Sequence, residues 1–481
     1  MNELKKNIIS KTRFLSGLLL ALVLSGCVGK TEQIPLEPVE LPVSFSITGS
    51  VESEGKWWQA FNDEDLSELI ELALGENFSI KSSWERLNQL KAQYRKSSAS
   101  LFPILEGKAS GTHSIEYVDG TSDKNDNLFL GLSASYEVDL WGQIESNVKA
   151  ARLDMEATQA DLDTAAMTLA AEVAKTWYLL IQQTATLVLL DQQIATNSKA
   201  LELITTQFRV GKVPFADVLQ QRQLIESQKG DKMLLVSQKG QAEHGLNVLL
   251  GQVPGTEMQG IPTQLIALPK LPDTGIPSEF IQARPDIRSS LLTLQAADQR
   301  VAVAVANQYP SLRFTASLDT IHNSTSTIFS DYLASIMAGL TAPLFDGGLR
   351  KAEVARTRAV AAEKMHDYGQ TILTAIGEVE DALLKEQQQQ KYIKSLHAQL
   401  ELATKTMEQV KERYLKGVAD YQRVLTALTS LQSLQQSLIT AQKNLLLNRI
   451  ELCRALGRGW EYSNTEMYTK SQVAIIGKKY M

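Results

Sequence analysis

The sequence predicts a mainly α-helical protein with a small β part. Three observations carry this prediction: two uninterrupted helical patterns, at 141–210 and 349–416, two regions of strand-like alternation, and one short stretch that occurs twice. Of the 481 residues, 44% are hydrophobic and 21% are charged, which is typical of a folded protein. The formal net charge of −6 at pH 7 gives no basic surface, so nucleic acid is not expected as a partner.

The repeated stretch indicates an internal duplication. Its copies begin at Phe208 and Tyr414, 206 residues apart, and each continues with a glycine, a second aromatic residue and a Val-Leu pair at the same spacings. The two glycines, Gly211 and Gly417, fit the left-handed position at which a helix ends. Helical patterns flank both copies, so each copy is predicted to be the tip of a long helical hairpin.

The duplication divides the chain into two structural repeats. The first, 63–260, is predicted to hold helices, a β-hairpin at about 104–140 and a long helical hairpin. After a proline-rich linker, 261–277, the second repeat, 278–460, holds a helix, a β-hairpin at about 311–343 and another helical hairpin. The predicted bounds of the two helical hairpins and of the C-terminal tail are 143–251 with its tip at 211–214, 349–457 with its tip at 417–420, and 461–481.

The strand-like regions have one apolar and one polar face. In the first region, 105–117 and 128–138 alternate between the two kinds of residue, and a polar loop is expected at 119–127. The apolar face fits either the core of a soluble protein or the lipid around a membrane barrel. Four strands are too few to close a barrel, and lipid does not tolerate open sheet edges. A membrane-spanning sheet would therefore need strands from several chains.

The N-terminus is predicted to be a secretory signal. Four basic residues precede a short apolar run, 14–23, which is too short to span a bilayer. Leu-Ser-Gly-Cys27 follows and resembles a bacterial lipobox, in which Cys27 becomes the lipidated first residue. This predicts a lipoprotein signal peptide, 1–26, and an acylated tether, 27–62. A plain signal peptide with an incidental cysteine is the alternative.

Six short motifs, in a fixed order, carry a resemblance to a known family. They are the lipobox, Trp57-Trp58, YEVDLWG from Tyr136, RPDI from Arg284, PLFDGG from Pro343 and ALGRGW from Ala455. This order resembles the TolC-like outer-membrane factors. Within them the chain is most similar to the lipoprotein branch, of NodT type, that serves resistance-nodulation-division (RND) efflux pumps.

The resemblance implies a fold and a location beyond what periodicity indicates. It implies a homotrimer in the outer membrane of a Gram-negative bacterium, anchored in lipid at Cys27. Each chain would give four strands to one shared, twelve-stranded transmembrane β-barrel, and its helical hairpins would form a trimeric periplasmic α-barrel.

The resemblance also implies a function and partners. The trimer would be the exit duct of a tripartite efflux system, passively exporting small molecules that an inner-membrane RND pump and a periplasmic adaptor deliver. Two alternatives stay open: a type I protein-secretion duct, and an envelope-spanning structural lipoprotein without a pore. The sequence has no Walker A, GxSxG, GxGxxG, HExxH or CxxC motif. An enzyme, a cofactor and a metal site are therefore not expected.

The hairpin tips hold the candidate gate residues. Asp217 and Asp420 fall in or beside the first turn of the returning helix, where an acid caps the helix or complements its dipole. By resemblance, Asp420 would form an acidic constriction at the periplasmic mouth, with Tyr421 and Arg423 as its partners. Capping alone is the alternative. Five tip residues are candidates for contact with the adaptor, or else are solvent-exposed turn residues: Gly211, Lys212, Val213, Gly417 and Val418.

Three acids mark the polar face of the first strand pair. Glu116 and Glu137 lie on that face, and Asp139 lies at the end of its second strand. In a barrel they would line the lumen and favour cations. The alternative is that they are loop or rim charges without selectivity.

Overall fold

The computed structural model describes residues 41–49, 56–258 and 260–457. In these ranges the chain forms eight α-helices and four β-strands, in the order α-α-β-β-α-α-α-α-β-β-α-α. Their bounds in the first half are α1 Glu64–Glu76, α2 Phe78–Ser98, β1 Ile104–Val118, β2 Thr121–Val138, α3 Gln143–Arg209 and α4 Phe215–Leu249. In the second half they are α5 Pro277–Ala283, α6 Pro285–Ala306, β3 Ser311–His322, β4 Leu333–Thr341, α7 Leu349–Leu415 and α8 Tyr421–Leu456.

Several predicted features lie outside the described residues. These are the signal peptide, Cys27, most of the tether, Trp460 of the last motif and the tail at 461–481. Among the described helices, none combines the length and the apolar character that crossing a membrane requires. The mainly α fold with a small four-stranded sheet, as predicted, is confirmed.

The described residues separate into two compact units. One comprises Leu90–Met155 and Leu292–Asp367 and contains the sheet. The other comprises the described parts of 41–89, Glu156–Leu291 and 368–457, and contains both hairpin tips.

The sheet is antiparallel, in the order β1-β2-β3-β4, so β1 and β4 are its edge strands. Its register aligns the apolar residues of all four strands. One row across the sheet runs Gly107, Leu132, Leu318 and Ala334. The neighbouring positions along each strand form the opposite face, which holds the polar residues. The sheet therefore keeps the two-faced character that the alternation predicts.

The turn between β1 and β2 is much tighter than we expected. Asp119 and Gly120 have φ angles of +49° and +81°, which a two-residue type I′ turn requires. Strand β2 begins at Thr121, and residues 121–127 pair with β1. The predicted polar loop at 119–127 is therefore wrong. The Asp-Gly pair closes the hairpin at once, and the polar residues after it belong to the strand.

The second unit has a core fastened by buried polar groups. Asp63 caps α1 by accepting the Leu66 N–H at 2.9 Å, and it also accepts the Trp177 indole N–H at 3.1 Å and the Tyr178 hydroxyl at 3.2 Å. Tyr178 is fully buried. One carboxylate thus ties the start of α1 to the middle of α3.

A buried ion pair joins α7 to α8. Arg449 donates to both oxygens of Glu386, at 2.8 and 2.6 Å, and both side chains are buried. The remaining guanidinium nitrogen donates to the carbonyl oxygens of Pro269 and Lys270, at 2.6 and 2.7 Å. The linker between the two repeats is thereby held against both helices.

Candidate functional site

The two hairpin tips end their first helices in the same way. After α3, the Gly211 N–H donates to the Phe208 carbonyl and the Lys212 N–H donates to the Gln207 carbonyl, both at 2.9 Å. After α7, Gly417 and Val418 make the equivalent bonds, also at 2.9 Å. This is a Schellman motif, and its glycines have φ angles of +70° and +76°. The glycine is therefore repeated because each turn requires a residue in the left-handed conformation.

The returning helices begin differently. Asp420 is the N-cap of α8, and its Oδ1 accepts the Arg423 N–H at 3.0 Å. Pro214 occupies the equivalent position before α4 and offers no side-chain cap. The acid of the first tip is Asp217, in the first turn of α4. The two tips therefore have the same turn but carry their acids at different positions of the returning helix.

The charge of Asp420 acts on Asp217 across the tips. Burial raises the pKa of the Asp217 carboxyl above its usual range, and the charge of Asp420 raises it further. Both acids line a cavity of about 650 Å³ between the tips, together with Lys212, Tyr414 and other tip residues. The cavity brings the polar groups of the two tips together within one chain.

Two tyrosines of the second tip form hydrogen bonds to the first helical hairpin. The Tyr414 hydroxyl donates to Gln207 Oε1 at 2.6 Å, and the Tyr421 hydroxyl donates to Gln221 Oε1 at 2.5 Å. Their rings are 5.7 Å apart. Burial raises the pKa of both phenols, so both remain donors at neutral pH. Tyr421 is only 4% exposed, so this gate candidate lies in the core of the tips and not at their surface.

A buried network of side-chain amides continues from the tips into the helices. Asn197 of α3 donates to Gln228 Oε1 of α4 at 2.7 Å, and Gln228 donates to Gln432 Oε1 of α8 at 3.0 Å. Gln221 donates to the Asn197 carbonyl at 2.8 Å, which connects this network to Tyr421. At its other end, Gln193 donates to the Gln432 carbonyl at 3.3 Å.

Sequence reasoning missed this network, although a pattern for it exists. Leu190, Gln193, Asn197, Leu201 and Ile204 are spaced by three or four residues, as the apolar stripe of a packed helix would be. Amides at stripe positions indicate buried polar partners, because an unpaired buried amide is costly. The partners themselves lie on α4 and α8, far away in sequence.

The adaptor-contact candidates lie on the outer surface of the tips. Gly211, Lys212, Gly417 and Val418 are exposed, and Val213 is half-buried. A Cβ added to either glycine would meet no atom within 4 Å. Val213 packs against the apolar cluster around Tyr421, and Lys212, Val213 and Gly417 also line the cavity between the tips.

The three strand acids lie apart from the tips and have different surroundings. Glu137 accepts the Arg313 guanidinium across the strand pair at 2.9 Å. Asp139 accepts the Glu145 N–H at 2.7 Å and so serves the first turn of α3. Glu116 is exposed and lies opposite Asp123 in the register of β1 and β2. Within the described ranges, no group of three or more His, Cys, Asp or Glu side chains could hold a metal ion.

Comparison with known proteins identifies the family. The profile described as "Outer membrane efflux protein" matches residues 69–252 and 276–458, most of both repeats. The chain belongs to this family. Cation efflux system protein CusC of Escherichia coli O6:H1 is 27% identical over 460 residues, which is 92% of this chain and 98% of CusC. Toluene efflux pump outer membrane protein TtgI of Pseudomonas putida is 30% identical over 419 residues, which is 84% of this chain and 87% of TtgI.

A solved channel has the same fold. The open state of the Neisseria gonorrhoeae MtrE outer membrane channel superposes with a TM-score of 0.79 at 26% identity, covering 89% of this chain and 97% of MtrE. The family predicted from the six motifs is thereby confirmed. The chain is an efflux protein of the Gram-negative outer membrane, and it is not an enzyme.

Proposed function

We propose that the chain forms, as a homotrimer, the exit duct of a tripartite efflux system. One observation carries this proposal: the sheet has two unpaired edges, β1 and β4, and an exposed apolar face. Because an open edge is unfavourable in lipid, β4 of one copy would pair with β1 of the next until the sheet closes. Three copies with four strands each give a twelve-stranded barrel whose polar face lines the lumen.

The helical hairpins then extend the duct into the periplasm. Long helices alone suit a spacer as well as a duct, but a structural spacer without a pore has no use for a two-faced sheet. CusC is named for the efflux of cations, and TtgI is named for the efflux of toluene. Small cargo is therefore favoured over secreted proteins. An RND pump in the inner membrane and a periplasmic adaptor would supply the energy and the cargo.

The tips are proposed to be the periplasmic gate. Asp420 and Asp217 bring two acids to one polar cavity, and Arg423 adds a cation in the first turn of α8. Tyr421 would hold the second tip against the first through its buried hydrogen bond to Gln221. The carboxylate of Asp420 both caps α8 and lines the cavity. The capping is therefore compatible with a gate role and with a purely structural role.

The outer surface of the tips is proposed to contact the adaptor. Gly211, Lys212, Val213, Gly417 and Val418 contribute exposed backbone, one cation and an apolar edge. The exposure of Lys212 and Val418 and the open space beside both glycines support a surface that a partner covers.

Two further proposals concern the membrane end. Cys27 would carry the lipid anchor. Glu116, Glu137 and Asp139 would face the lumen, but Arg313 offsets Glu137 and the start of α3 engages Asp139. Any cation preference would therefore depend mainly on Glu116.

The function is tested with the full chain expressed in a strain that lacks it. We expect purified protein to be a trimer and to open steady channels in planar bilayers. We also expect the gene to restore the drug and metal resistance of the deletion strain. Protein that stays monomeric and forms no channels would overturn the duct. Cys27→Ser serves as the anchor control, and it should lose labelling by radioactive palmitate while keeping channel activity.

A further inference from the structure

The connection between β3 and β4 turns back onto the apolar face of the sheet. Thr320 lies on that face, in line with Leu318, and its hydroxyl donates to the Ile328 carbonyl at 2.7 Å. This bond brings the following residues, Phe329 and Tyr332, beside the apolar side chains of the strands. The side of the sheet that receives the loop is thus the apolar one.

A groove of about 490 Å³ lies between this loop and the sheet. Its walls are formed by Leu130, Leu132 and Leu318 on one side and by Phe329 and Tyr332 on the other. Its size is that of a small-molecule site, and its lining is predominantly apolar. Phe329 and Tyr332 are 83% and 77% exposed, although loops usually carry few aromatic residues at such exposure.

The floor of the groove is made by small residues. Gly107 and Ala109 of β1 lie beside Leu132 and Leu130 in the register. A Cβ built on Gly107 would meet no atom within 4 Å, so the space above it is open. A larger residue there would fill the groove without a clash against the protein.

We propose that this groove binds an acyl chain of an outer-leaflet membrane lipid. The inference rests on the proposed function, in which the apolar face meets lipid and the loop end of the sheet faces the cell exterior. The groove lies beside that loop, so it opens toward the outer leaflet. Exposed aromatic residues are typical of the membrane–water interface, where Phe329 and Tyr332 would flank the acyl chain.

A second copy of the chain is a less suitable occupant. Copies would join edge to edge in the plane of the sheet, through the backbone groups of β1 and β4. That pairing leaves the groove above the apolar face uncovered. A phospholipid and a glycolipid share the acyl chemistry, and mass identifies which of them is bound.

Native mass spectrometry of the intact assembly, purified from outer membranes in mild detergent, tests the site. We expect one retained lipid for each chain. Gly107→Leu should reduce the retained lipid about tenfold, because the leucine displaces several methylene groups. Gly339→Leu is the matched control. It also places a leucine on a strand glycine, where an added Cβ comes no nearer than 4.0 Å to its nearest neighbour, the Arg313 carbonyl oxygen. Gly339 lies opposite Arg313 on the polar face, so lipid retention should not change.

Further measurements keep the two proposals separate. Channel conductance of Gly107→Leu should equal that of the wild type, since the groove lies on the face opposite the lumen. If Gly107→Leu fails to assemble, Tyr332→Ala at the exposed rim replaces it, with an expected loss of at least about threefold. Equal lipid retention in Gly107→Leu, Gly339→Leu and the wild type would overturn the lipid site while leaving the duct intact. Absence of channels in the wild type would overturn the duct alone.

Discussion

Asn197 and Gln432 exchange two hydrogen bonds between helices α3 and α8. The Asn197 amide donates to Gln432 Oε1 at 3.4 Å, and the Gln432 amide donates to Asn197 Oδ1 at 3.2 Å. Both side chains are buried, and Gln228 of α4 bonds to both. Because each amide satisfies the others, three helices are held in one register, which an apolar stripe alone would not specify as strictly.

The first prediction concerns this network. Asn197→Leu should leave buried groups of Gln228 and Gln432 without partners, and each unsatisfied group costs about 1–3 kcal/mol. We therefore expect the local free energy of opening near residues 190–235 to fall by a similar amount. Hydrogen exchange followed by mass spectrometry measures that opening in the assembled protein.

Two controls sharpen this test. The triple variant Asn197→Leu, Gln228→Leu, Gln432→Leu removes every partner and should recover much of the loss, since no buried amide of this trio is left unpaired. Gln399→Leu changes an exposed amide on α7 and should shift stability by no more than about 0.5 kcal/mol. Equal exchange in Asn197→Leu and the wild type would mean that the network has no role in stability.

Features that depend on neighbouring residues were predictable from the sequence, and contacts between residues far apart in the chain were not. The tips were predictable because Gly211 and Gly417 act on neighbouring backbone, and the duplication shows the same pattern twice. The pairing of Asn197 with Gln432 was not, because it joins residues 235 apart on helices whose relative rotation no local pattern specifies. For the same reason, the partners of Tyr414 and Tyr421 were not predictable.

The prediction of a polar loop at 119–127 was wrong for a different reason. The seven residues after the Asp-Gly pair, 121–127, are all polar, which is typical of a loop, although the pair itself indicates a two-residue hairpin. The strand beyond the turn is polar on both faces, so its alternation could not be seen.

The second prediction separates gating from capping at Asp420. Asn caps a helix as well as Asp, while Ala does not, so Asp420→Asn removes only the charge and Asp420→Ala removes the cap as well. If the charge closes the mouth, both variants should raise the conductance in planar bilayers. If Asp420 only caps α8, Asp420→Asn should conduct like the wild type. In that case only Asp420→Ala should change the tip, with a loss of about 0.5–2 kcal/mol in local stability.

The third prediction concerns the pH dependence of the tips. The folded pKa of Asp217 lies above the unfolded value, because burial and then Asp420 disfavour its carboxylate. The packed tip therefore binds more protons than the opened one, so it is favoured below this pKa and loses stability as the pH rises through it. Tyr414 and Tyr421 also line the cavity, but burial raises the pKa of both phenols, so they do not titrate in the acidic range.

We expect the protection factors of the tip amides, measured by hydrogen exchange and corrected for the intrinsic rate, to rise as the pH is lowered from neutral. Asp217→Asn should show the higher protection already at neutral pH and should gain less from acid. Asp231→Asn, an exposed acid on the same helix, should behave like the wild type. Unchanged acid sensitivity in Asp217→Asn would exclude this carboxyl as the titrating group.

The fourth prediction concerns the ion pair of Arg449 and Glu386. Arg449→Met should leave the Glu386 carboxylate buried without its cation, which typically costs about 3–5 kcal/mol, and should also release the Pro269 and Lys270 carbonyls. A strongly lowered temperature of trimer dissociation, measured by seminative gel electrophoresis, is expected. Adding Glu386→Leu removes the stranded charge and should recover part of the loss.

The matched control for this pair is Arg356→Met. Arg356 also makes two hydrogen bonds to a glutamate, Glu353, but the pair is exposed on α7, where water replaces the lost partner. Its dissociation temperature should stay close to that of the wild type. If Arg449→Met were equally harmless, the link between the inter-repeat linker and the two helices would not be needed for assembly. If the double variant were no better than Arg449→Met, the lost carbonyl contacts would outweigh the stranded charge.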